Sequence, residues 1–588
     1  MGDPTSFSLD DEFVVATTAS TRFPAYTRAN VGEVWAGPAT PLTSTSMAGW
    51  PFENAWRAAL VRVGAFDLDE FDPDHQEMVG VFYGYIYLNL SVQRVFGVRM
   101  PGASADIIDA SFFGGGADDV PPYVEDPRDE SPVHTERILA TIGWALSVES
   151  LPELDAMRDE EAARRAQRPD FSAMSDLELF RYAEPVITTE QQRLMTEHMF
   201  VTAVGSIPIG IVTGVAAALG DPGLAVRAIA GLGEVDSAAP VWLMWDLSRL
   251  IVASPELSAT FDAGTDGVLE RLRASESPDA TAFLTGFEEF LHRFGSRCVS
   301  EWDLGVLAWE SDPAVPLMAI DNMRSLADEA SPVARHAKLA ADREAASAQM
   351  LDALAGDPAA QGQLQAGLRA AALWLPARER TKTTVILQLH EAREALQELG
   401  RRMVAAGHFD HLSDVVLLKL EEFVPFVADP ASMAAEIRRR RRWHQELWQL
   451  DPPFNTVGMT PPSSTWRRRV VEDLPPATAG ETIAGIGACP GSATGTARVI
   501  LDPADGGRLE PGDVMITPGT DPAWTPLFVS VAAVVVDVGA PLSHAAIVSR
   551  ELGVPCVVAA THASRRIPDG AVVSVDGATG VVHIISVP

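Results

Sequence analysis

The stretch "VDVGAPLSHAAIVSRELGVPCVV", residues 536–558, places one histidine, His544, where an apolar run gives way to a helical pattern. The run Val531–Val538 is almost entirely apolar and predicts a strand that is buried on both faces. Ser543 occupies a favourable N-cap position, and Gly553 is a natural residue to end the helix. The stretch therefore predicts a strand, a turn and a short helix with His544 in its first position.

This placement suggests a chemical role for His544. The first backbone N–H groups of a helix have no intrahelical acceptor and carry a partial positive charge. They disfavour a protonated imidazole, so we predict a neutral ring near pH 7. A neutral ring nitrogen can attack phosphorus, and the N–H groups would then hold the phosphoryl oxygens. Arg550 is a candidate supporting residue for phosphate or acidic groups. Two alternatives are a histidine that is only structural and a metal site that also uses His562, His583 or Cys556.

Length and composition narrow the class of protein. The 588 residues predict two to four domains, and 47% of them are hydrophobic, as in a globular protein. A formal net charge of −35 argues against nucleic acid or an anionic lipid surface as a partner. Three cysteines are too few for a disulfide framework, and no secretory signal is seen, so we expect a cytoplasmic protein. Arginine runs at 438–442 and 467–469 are either docking sites for an acidic partner or solvated surfaces.

The pattern along the chain predicts a multidomain protein. A large, mostly α substrate-binding region is expected at 30–450, after an N-terminal extension at 1–29. A Pro-rich linker follows at 451–481, and short Val-rich runs predict a small α/β domain at 482–588 with at most two helices. The uncharged run from Met199 to Gly220 is interpreted as a buried helix or helix pair in preference to a membrane span, because it contains several glycines and a proline.

The C-terminal domain resembles a known family. "GAPLSHAAIVSRELGVPCVV" is similar to the phosphohistidine signature of the phosphoenolpyruvate-utilising mobile domain, and the similarity extends through "GIGACPGSATGTARVI" and "TPGTDPAWTPLF". In that family the histidine carries a phosphoryl group between distant sites as its domain swivels, which implies this role for His544. Ala540 stands where a second glycine is common. Leu542 replaces the threonine that dikinases use for regulation, so the resemblance implies no such regulation here.

Three upstream segments resemble the helical substrate-binding region of rifampin phosphotransferase and of the histidine-bearing subunit of phenylphosphate synthase. They are "NVGEVWAGPATPLTSTS", "FLHRFGSRCVSEWDLGVLAWESDP" and "RERTKTTVILQLHEAREALQELGRRMVAAG". Ser296 stands where the family usually has a histidine, which implies a different acceptor chemistry. The similarity begins near Asn30, and the sequence has no Gly-rich phosphate loop. We therefore expect no cofactor on this chain, and a separate ATP-grasp subunit that binds ATP and Mg²⁺ and phosphorylates His544.

The sequence thus predicts a phosphotransferase component that passes a phosphoryl group from His544 to a hydroxyl or enol of a small organic acceptor. Phosphoryl transfer needs positive charge near the oxygens and a base for the acceptor, and five residues are candidates. The candidate cations are Arg297, Arg378 and Lys382, and the candidate bases are Glu301 and Asp303. Two alternatives remain open: a dehydratase that phosphorylates its substrate transiently and eliminates phosphate, and a binding protein without catalysis. No resident metal and no membrane partner are expected.

Overall fold

The computed structural model of the chain describes residues 9, 17–113, 120–233, 235–469, 474–540 and 543–588. The chain forms two compact units that interleave along the sequence. Unit 1 comprises Met1–Ser206, Trp302–Val306 and Arg380–Glu472, and unit 2 comprises Ile207–Glu301, Leu307–Glu379 and Asp473–Pro588. Unit 2 therefore contains both helical segments and the Val-rich C-terminal part. The sequence-based boundaries at 29, 450 and 481 stay predictions, and part of the N-terminal extension lies outside the described residues.

Helices dominate the described chain up to residue 448, as the sequence predicts. The helices of the first 220 residues are α1 Val31–Val34, α2 Pro41–Thr45, α3 Trp50–Val63, α4 Leu90–Arg99, α5 Ala105–Phe113, α6 Pro132–Ser147, α7 Pro152–Ala166, α8 Asp176–Pro185 and α9 Gln191–Ala218. Those that follow are α10 Gly223–Ala228, α11 Pro240–Ala253, α12 Pro255–Asp262, α13 Val268–Arg273, α14 Pro278–Phe294, α15 Ala314–Met323, α16 Pro332–Ala353, α17 Pro358–Ala405, α18 Phe423–Ala428, α19 Ala434–Trp448, α20 His544–Leu552 and α21 Ala563–Arg566.

A serine followed by a proline begins several of these helices. The serine is the N-cap, and its hydroxyl accepts a hydrogen bond from a backbone N–H of the first turn, while proline suits the first helical position because no N–H is needed there. In α6, for example, Ser131 Oγ accepts from His134 N. The same pair begins α12, α14 and α16, at Ser254–Pro255, Ser277–Pro278 and Ser331–Pro332. The sequence alone predicts these helix N-termini.

One helical stretch of the described chain, Asp176–Ala218, is long and apolar enough to cross a membrane by length and composition, and 44% of its most apolar window is buried. The core helix of a water-soluble protein passes the same test. Val212 and Ala216 pack in a core with Leu224 and Leu364. The predicted buried element at 199–220 is thus one helix, α9, up to Ala218. Phe200, Val201 and Val204 are buried as well, whereas Gly210 and Gly214 are exposed.

Unit 1 contains a small sheet that the sequence analysis did not predict. Its antiparallel strands are β1 Ala25–Thr27, β2 Val79–Phe82, β3 Tyr85–Asn89 and β5 Asn455–Val457, in the order β2-β3-β1-β5. Two short strands, β4 Leu450–Asp451 and β6 Arg467–Arg468, form a separate antiparallel pair. Tyr83 and Gly84 connect β2 to β3 with φ of 47° and 82°, the conformation of a tight hairpin turn. The predicted linker therefore begins with strands that pair within unit 1. Its residues 470–473 lie outside the described residues.

The first arginine run is also an internal feature of unit 1. Arg440 of α19 donates to both carboxylate oxygens of Glu422 and to one of Glu436, at 2.6–2.9 Å. Arg441 forms an ion pair with Asp414, and Arg439 forms one with Glu436. These partners favour a structural role over the docking role that the run suggested.

The C-terminal part of unit 2 is built on an eight-stranded sheet. Its strands are β7 Thr482–Ala484, β8 Ile486–Cys489, β9 Ser492–Val499, β10 Val514–Thr517, β11 Ala533–Val536, β12 Cys556–Val558, β13 Val572–Asp576 and β14 Val581–Ser586, in the order β7-β14-β13-β9-β10-β11-β12-β8. Strands β9 to β12 are parallel, and the others are antiparallel to their neighbours. The predicted fold class, a large helical region followed by a small α/β domain, is confirmed. The expectation of at most two helices is wrong, because α20, α21 and two 3-10 helices, Pro503–Arg508 and Pro522–Val529, are present.

The apolar core of unit 2 is shared by its helices and its sheet domain. In α14, phenylalanines spaced three or four residues apart line one buried face, at Phe283, Phe287, Phe290 and Phe294. The same core contains Leu317 and Ile320 of α15 and Leu527 and Phe528 of the 3-10 helix Pro522–Val529. The sheet domain is therefore packed against α15 in this structure, with apolar side chains from both sides.

Candidate functional site

The strand, turn and helix predicted around His544 are present. Strand β11 is buried along its whole length, as expected for the centre of a parallel sheet covered on both faces. Helix α20 begins at His544, and Gly553 ends it with φ 66°, a left-handed conformation that glycine adopts without strain. Pro541 and Leu542 lie outside the described residues, so the substitution of Leu542 for the dikinase threonine is not placed.

Two threonine hydroxyls flank the imidazole of His544. Thr520 Oγ1 lies 3.0 Å from Nδ1, and Thr525 Oγ1 lies 3.1 Å from Nε2. A hydroxyl both donates and accepts, so the pair satisfies a neutral ring in either tautomer. Phe528 packs edge-on to the ring, with 6.2 Å between centroids. His544 is half-buried, whereas Thr525 is completely buried.

Asp521 holds the segment that carries both threonines. It is the N-cap of the 3-10 helix Pro522–Val529, and its Oδ1 accepts from Ala523 N at 3.0 Å. Its Oδ2 accepts from the backbone N–H of Ser300 at 3.0 Å. Ser300 has φ 52°, a left-handed conformation that is strained in a non-glycine residue. The segment beside His544 is thus hydrogen-bonded to the loop that follows α14.

Ser543 is the N-cap of α20 by backbone conformation, but its side chain makes no capping hydrogen bond. Its buried Oγ has no hydrogen-bond partner among the described residues. The capping role expected from sequence is therefore limited to the backbone. A buried hydroxyl without a partner is costly, and here it stands beside the N–H groups of the first helical turn. An oxyanion bound at this helix start would give the hydroxyl an acceptor.

Arg550, the second supporting candidate, is buried six residues further along α20. Its Nε donates to Ala488 O at 2.9 Å, and desolvation lowers its pKa. With Arg378, Glu379 and Glu551 it lines a cavity of about 30 Å³, otherwise apolar. Such a volume suits one or two water molecules and is too small for an organic acceptor.

The structure places the five substrate-binding candidates in both units. Arg297 and Glu301 form a buried ion pair, with Nη1 2.9 Å from Oε1, and Arg297 Nη2 also donates to Asp236 O at 3.0 Å. Arg378 Nη1 lies 3.1 Å from Glu379 Oε1. These three candidates belong to unit 2, as does His544, whereas Asp303 and Lys382 belong to unit 1. Ser296, where the family usually has a histidine, is buried beside Arg297 in the chain.

The described residues contain no cluster of three or more His, Cys, Asp or Glu side chains able to hold a metal ion. All three cysteines are buried, and none forms a disulfide bond with another described residue. Burial raises the pKa of Cys489 to about 12 and that of Cys556 to about 11. Both thiols are therefore protonated near neutral pH and are poor metal ligands or nucleophiles.

Thr520 and Thr525 were missed by sequence reasoning. Both lie in "TPGTDPAWTPLF", which was recognised as part of the domain but not as part of its site. The signal available was a pair of hydroxyl residues in a Pro-rich segment between two buried strands. Their contact with His544 is tertiary, across 24 and 19 residues of chain, so spacing alone does not reveal it.

Two family profiles match the chain. Residues 509–580, which include His544, match the PEP-utilising enzyme mobile domain. Residues 198–379 match the rifampicin phosphotransferase fourth domain. The resemblance predicted from sequence is confirmed: the C-terminal part of the chain is similar to a mobile domain of the phosphoenolpyruvate-utilising type. The further resemblance to phenylphosphate synthase stays a prediction.

Several proteins are similar to parts of this chain. A rifampicin phosphotransferase of Streptomyces sviceus is 30% identical over 361 residues, 60% of this chain and 40% of that enzyme. The prodigiosin synthesizing transferase PigC of Serratia marcescens is 29% identical over 349 residues, 58% of this chain and 38% of that protein. An uncharacterised protein of Mycobacterium tuberculosis is 37% identical over 215 residues, 37% of this chain and 24% of that protein. The chain thus spans less than half the length of each relative.

Proposed function

We propose that this chain, which carries a mobile domain of the phosphoenolpyruvate-utilising type, is the phosphohistidine-bearing component of a phosphotransferase. His544 accepts a phosphoryl group and passes it to a hydroxyl or enol of a small organic acceptor. The observation that carries this proposal is the half-buried imidazole at the start of α20, between two threonine hydroxyls. The names of the Streptomyces sviceus and Serratia marcescens relatives, a phosphotransferase and a transferase, support the reaction class.

The chemistry proceeds in two displacements. In the first, the unprotonated ring nitrogen attacks phosphorus, an N–P bond forms, and the donor oxygen leaves with the electrons of the broken P–O bond. In the second, the acceptor oxygen attacks phosphorus, the N–P bond breaks, and the ring regains its electron pair while a base takes the acceptor proton. The threonine hydroxyl at the attacking nitrogen gives up its hydrogen bond as the N–P bond forms, and the other threonine hydroxyl keeps the ring oriented in both steps. The Ser543 hydroxyl and the first-turn N–H groups stabilise the phosphoryl oxygens.

The donor and acceptor complete the proposal. ATP and Mg²⁺, bound by a separate ATP-grasp subunit, supply the phosphoryl group, and the mobile domain carries it to the helical region in a swivelling motion. We retain Arg297, Arg378 and Lys382 as candidate cations near the acceptor and Glu301 and Asp303 as candidate bases. The match to the rifampicin phosphotransferase fourth domain supports a substrate-handling role for the helices. We also place the protein in the cytoplasm, where ATP is available and where its cysteines, which form no disulfide among the described residues, stay reduced.

Chemical phosphorylation tests the role of His544 without any partner. Phosphoramidate transfers its phosphoryl group to histidine, so the full chain is treated with it and the sites are located by mass spectrometry. We expect acid-labile phosphorylation of His544, lost in His544→Ala and kept in His562→Ala. His562 is a matched control because it lies in the same domain and is exposed. Equal labelling of both histidines, or unchanged total labelling in His544→Ala, would overturn the proposal.

The donor is tested separately. The chain is mixed with a candidate ATP-grasp subunit and ATP labelled at the β-phosphate, and protein-bound label is measured. We expect acid-labile label on the parent chain and none on His544→Ala. Label that appears equally on His544→Ala would exclude this route even if phosphoramidate modifies His544.

A further inference from the structure

Unit 2 contains a second cleft, at the opposite end of α20 from His544. Its volume is about 570 Å³, in the usual range for a small-molecule site. Gly553 and Val554, which follow α20, line it, so it begins about 13 Å along the nine-residue helix from His544. The cleft shares no lining residue with the surroundings of His544.

The two walls of the cleft differ in charge. One wall comes from α10, α16 and the segment before α16, and it supplies every charged lining residue: Arg227, Glu329, Arg335, Lys338 and Asp342. The other wall comes from the mobile domain, and its lining residues are uncharged: Cys489, Pro490, Gly491, Val531, Ala532, Gly553 and Val554. A ligand in the cleft would therefore contact cations on one side and small or apolar residues on the other.

Arg335 is the residue that suggests what the cleft binds. Its Nη2 donates to Val529 O at 3.1 Å, and no carboxylate forms an ion pair with it among the described residues. Burial lowers the pKa of its guanidinium, and no neighbouring acid opposes that shift. A partly buried cation without a counter-ion is unfavourable, and bound anions relieve that cost. Guanidinium also presents several parallel donors to an oxyanion.

Lys338 lies one turn beyond Arg335 on α16 and makes no ion pair among the described residues. Among the described residues Arg227 forms an ion pair only with Asp221, at 3.6 Å, and the two side chains are 40% and 48% exposed. Glu329 and Asp342 are exposed at the rim. Three cations thus line the cleft, and the most buried of them, Arg335, forms no ion pair with an acidic side chain in the described part of the chain.

We propose that this cleft binds a small organic oxyanion, a phosphate ester or a carboxylate, through Arg335 and Lys338. Because the opposite wall belongs to the mobile domain, the bound ligand bridges that domain and the helices. Leu339 of α16 already packs near Gly553, and Glu551 accepts from Leu232 N and Gly233 N at 3.3 and 3.2 Å. Ligand binding would add to these contacts and favour the docked arrangement of unit 2. The site does not depend on the proposed function, although its effect on phosphoryl transfer does.

Calorimetric titration of the full chain tests the site. Pyrophosphate and tricarballylate are the probes, each at constant ionic strength, and they distinguish phosphate from carboxylate recognition. We expect one site per chain. Arg335→Met and Lys338→Met should each weaken binding about tenfold or more, as the loss of a charge-assisted hydrogen bond implies. Arg293→Met is the matched control, because it removes an exposed charge of unit 2 outside the cleft.

Lys338→Met also guards against misfolding. Arg335→Met leaves Val529 O without its donor, whereas Lys338 is exposed and its replacement breaks no described contact. Hydrogen exchange supplies a second readout: the ligand should protect amides on both walls, near residues 227–232 and 488–491. A dissociation constant above about 10 mM for both probes would overturn the proposal. So would equal weakening by Arg293→Met, which indicates adventitious anion binding.

Discussion

Glu301→Gln should destabilise unit 2, because Glu301 forms a buried ion pair with Arg297. The two charged groups lie 2.9 Å apart, and both side chains are 1% exposed. At that separation unit charges attract by about 6 kcal/mol at an effective dielectric constant of about 20, and their lost hydration offsets part of this energy. Removing one partner leaves the other charge buried, which typically costs about 3–5 kcal/mol. We expect a loss of that size, with Arg297→Met equally harmful.

Native-state hydrogen exchange of α14 measures this loss in the full chain. It reports the free energy of opening locally, so it does not require the two units to unfold together. The matched variant is Arg297→Met with Glu301→Leu, which removes both charges and should recover most of the stability, since apolar replacements of buried pairs are often neutral. A Glu301→Gln chain within about 1 kcal/mol of the parent would refute the reasoning. So would a double variant less stable than either single one.

Three further predictions concern other parts of the chain. Burial raises the pKa of Glu161 from 4.5 to about 7, so the stability that it contributes is complete below pH 4.5 and is lost as the pH rises through about 7. In thermal melts of unit 1 between about pH 5 and 8, Glu161→Gln should flatten this decline. A parent profile that is already flat would contradict the prediction. Thr525→Val removes the hydroxyl 3.1 Å from Nε2 of His544 and leaves Thr520 alone to orient the ring. Labelling by phosphoramidate should slow about fivefold, as the loss of a hydrogen bond worth about 1 kcal/mol implies. An unchanged rate would count against the assigned contact. Gly577→Ala would place its Cβ 2.0 Å from a carbonyl oxygen of β8 and should destabilise the C-terminal sheet domain by about 1–3 kcal/mol or more in thermal melts. Gly507→Ala is the control and should have little effect, because the nearest atom to its Cβ is 3.5 Å away. Equal effects of the two variants would show that small shifts relieve the contact at Gly577.

The fold of the C-terminal sheet domain was predictable because its signals are local. Each Val-rich run between turn residues became a strand, and Ser543 and Gly553 bound α20 as expected. The sheet of unit 1 was missed, although "GVFYGYIYLN" has the aromatic and β-branched residues of a hairpin around Tyr83–Gly84. Its other two pairings are not local: β1 pairs with β3 across about 60 residues, and β1 pairs with β5 across more than 400. No local pattern reports such a contact.

In the candidate site, too, local sequence patterns predict some residues, and only tertiary contacts reveal the others. His544 was identified from its place between strand and helix and from the signature around it. The two threonines beside it were not, because they reach the ring through tertiary folding. Charge alone makes Arg297 and Glu301 candidates in the sequence, and the structure adds that they form an ion pair with each other. Residue type indicates what a side chain can do, and only the fold shows whether another residue already engages it.

The apolar contact between α15 and the C-terminal sheet domain implies a particular dependence on temperature. Leu317 and Ile320 on one side share a core with Leu527 and Phe528 on the other. Apolar association is driven mainly by entropy near 25 °C and weakens on cooling, unlike association through hydrogen bonds. If the domain leaves α15 during each turnover, as we propose, chilling favours the open form and warming favours the closed one. Release of the domain should therefore respond to temperature in the opposite sense to the chemical step at His544.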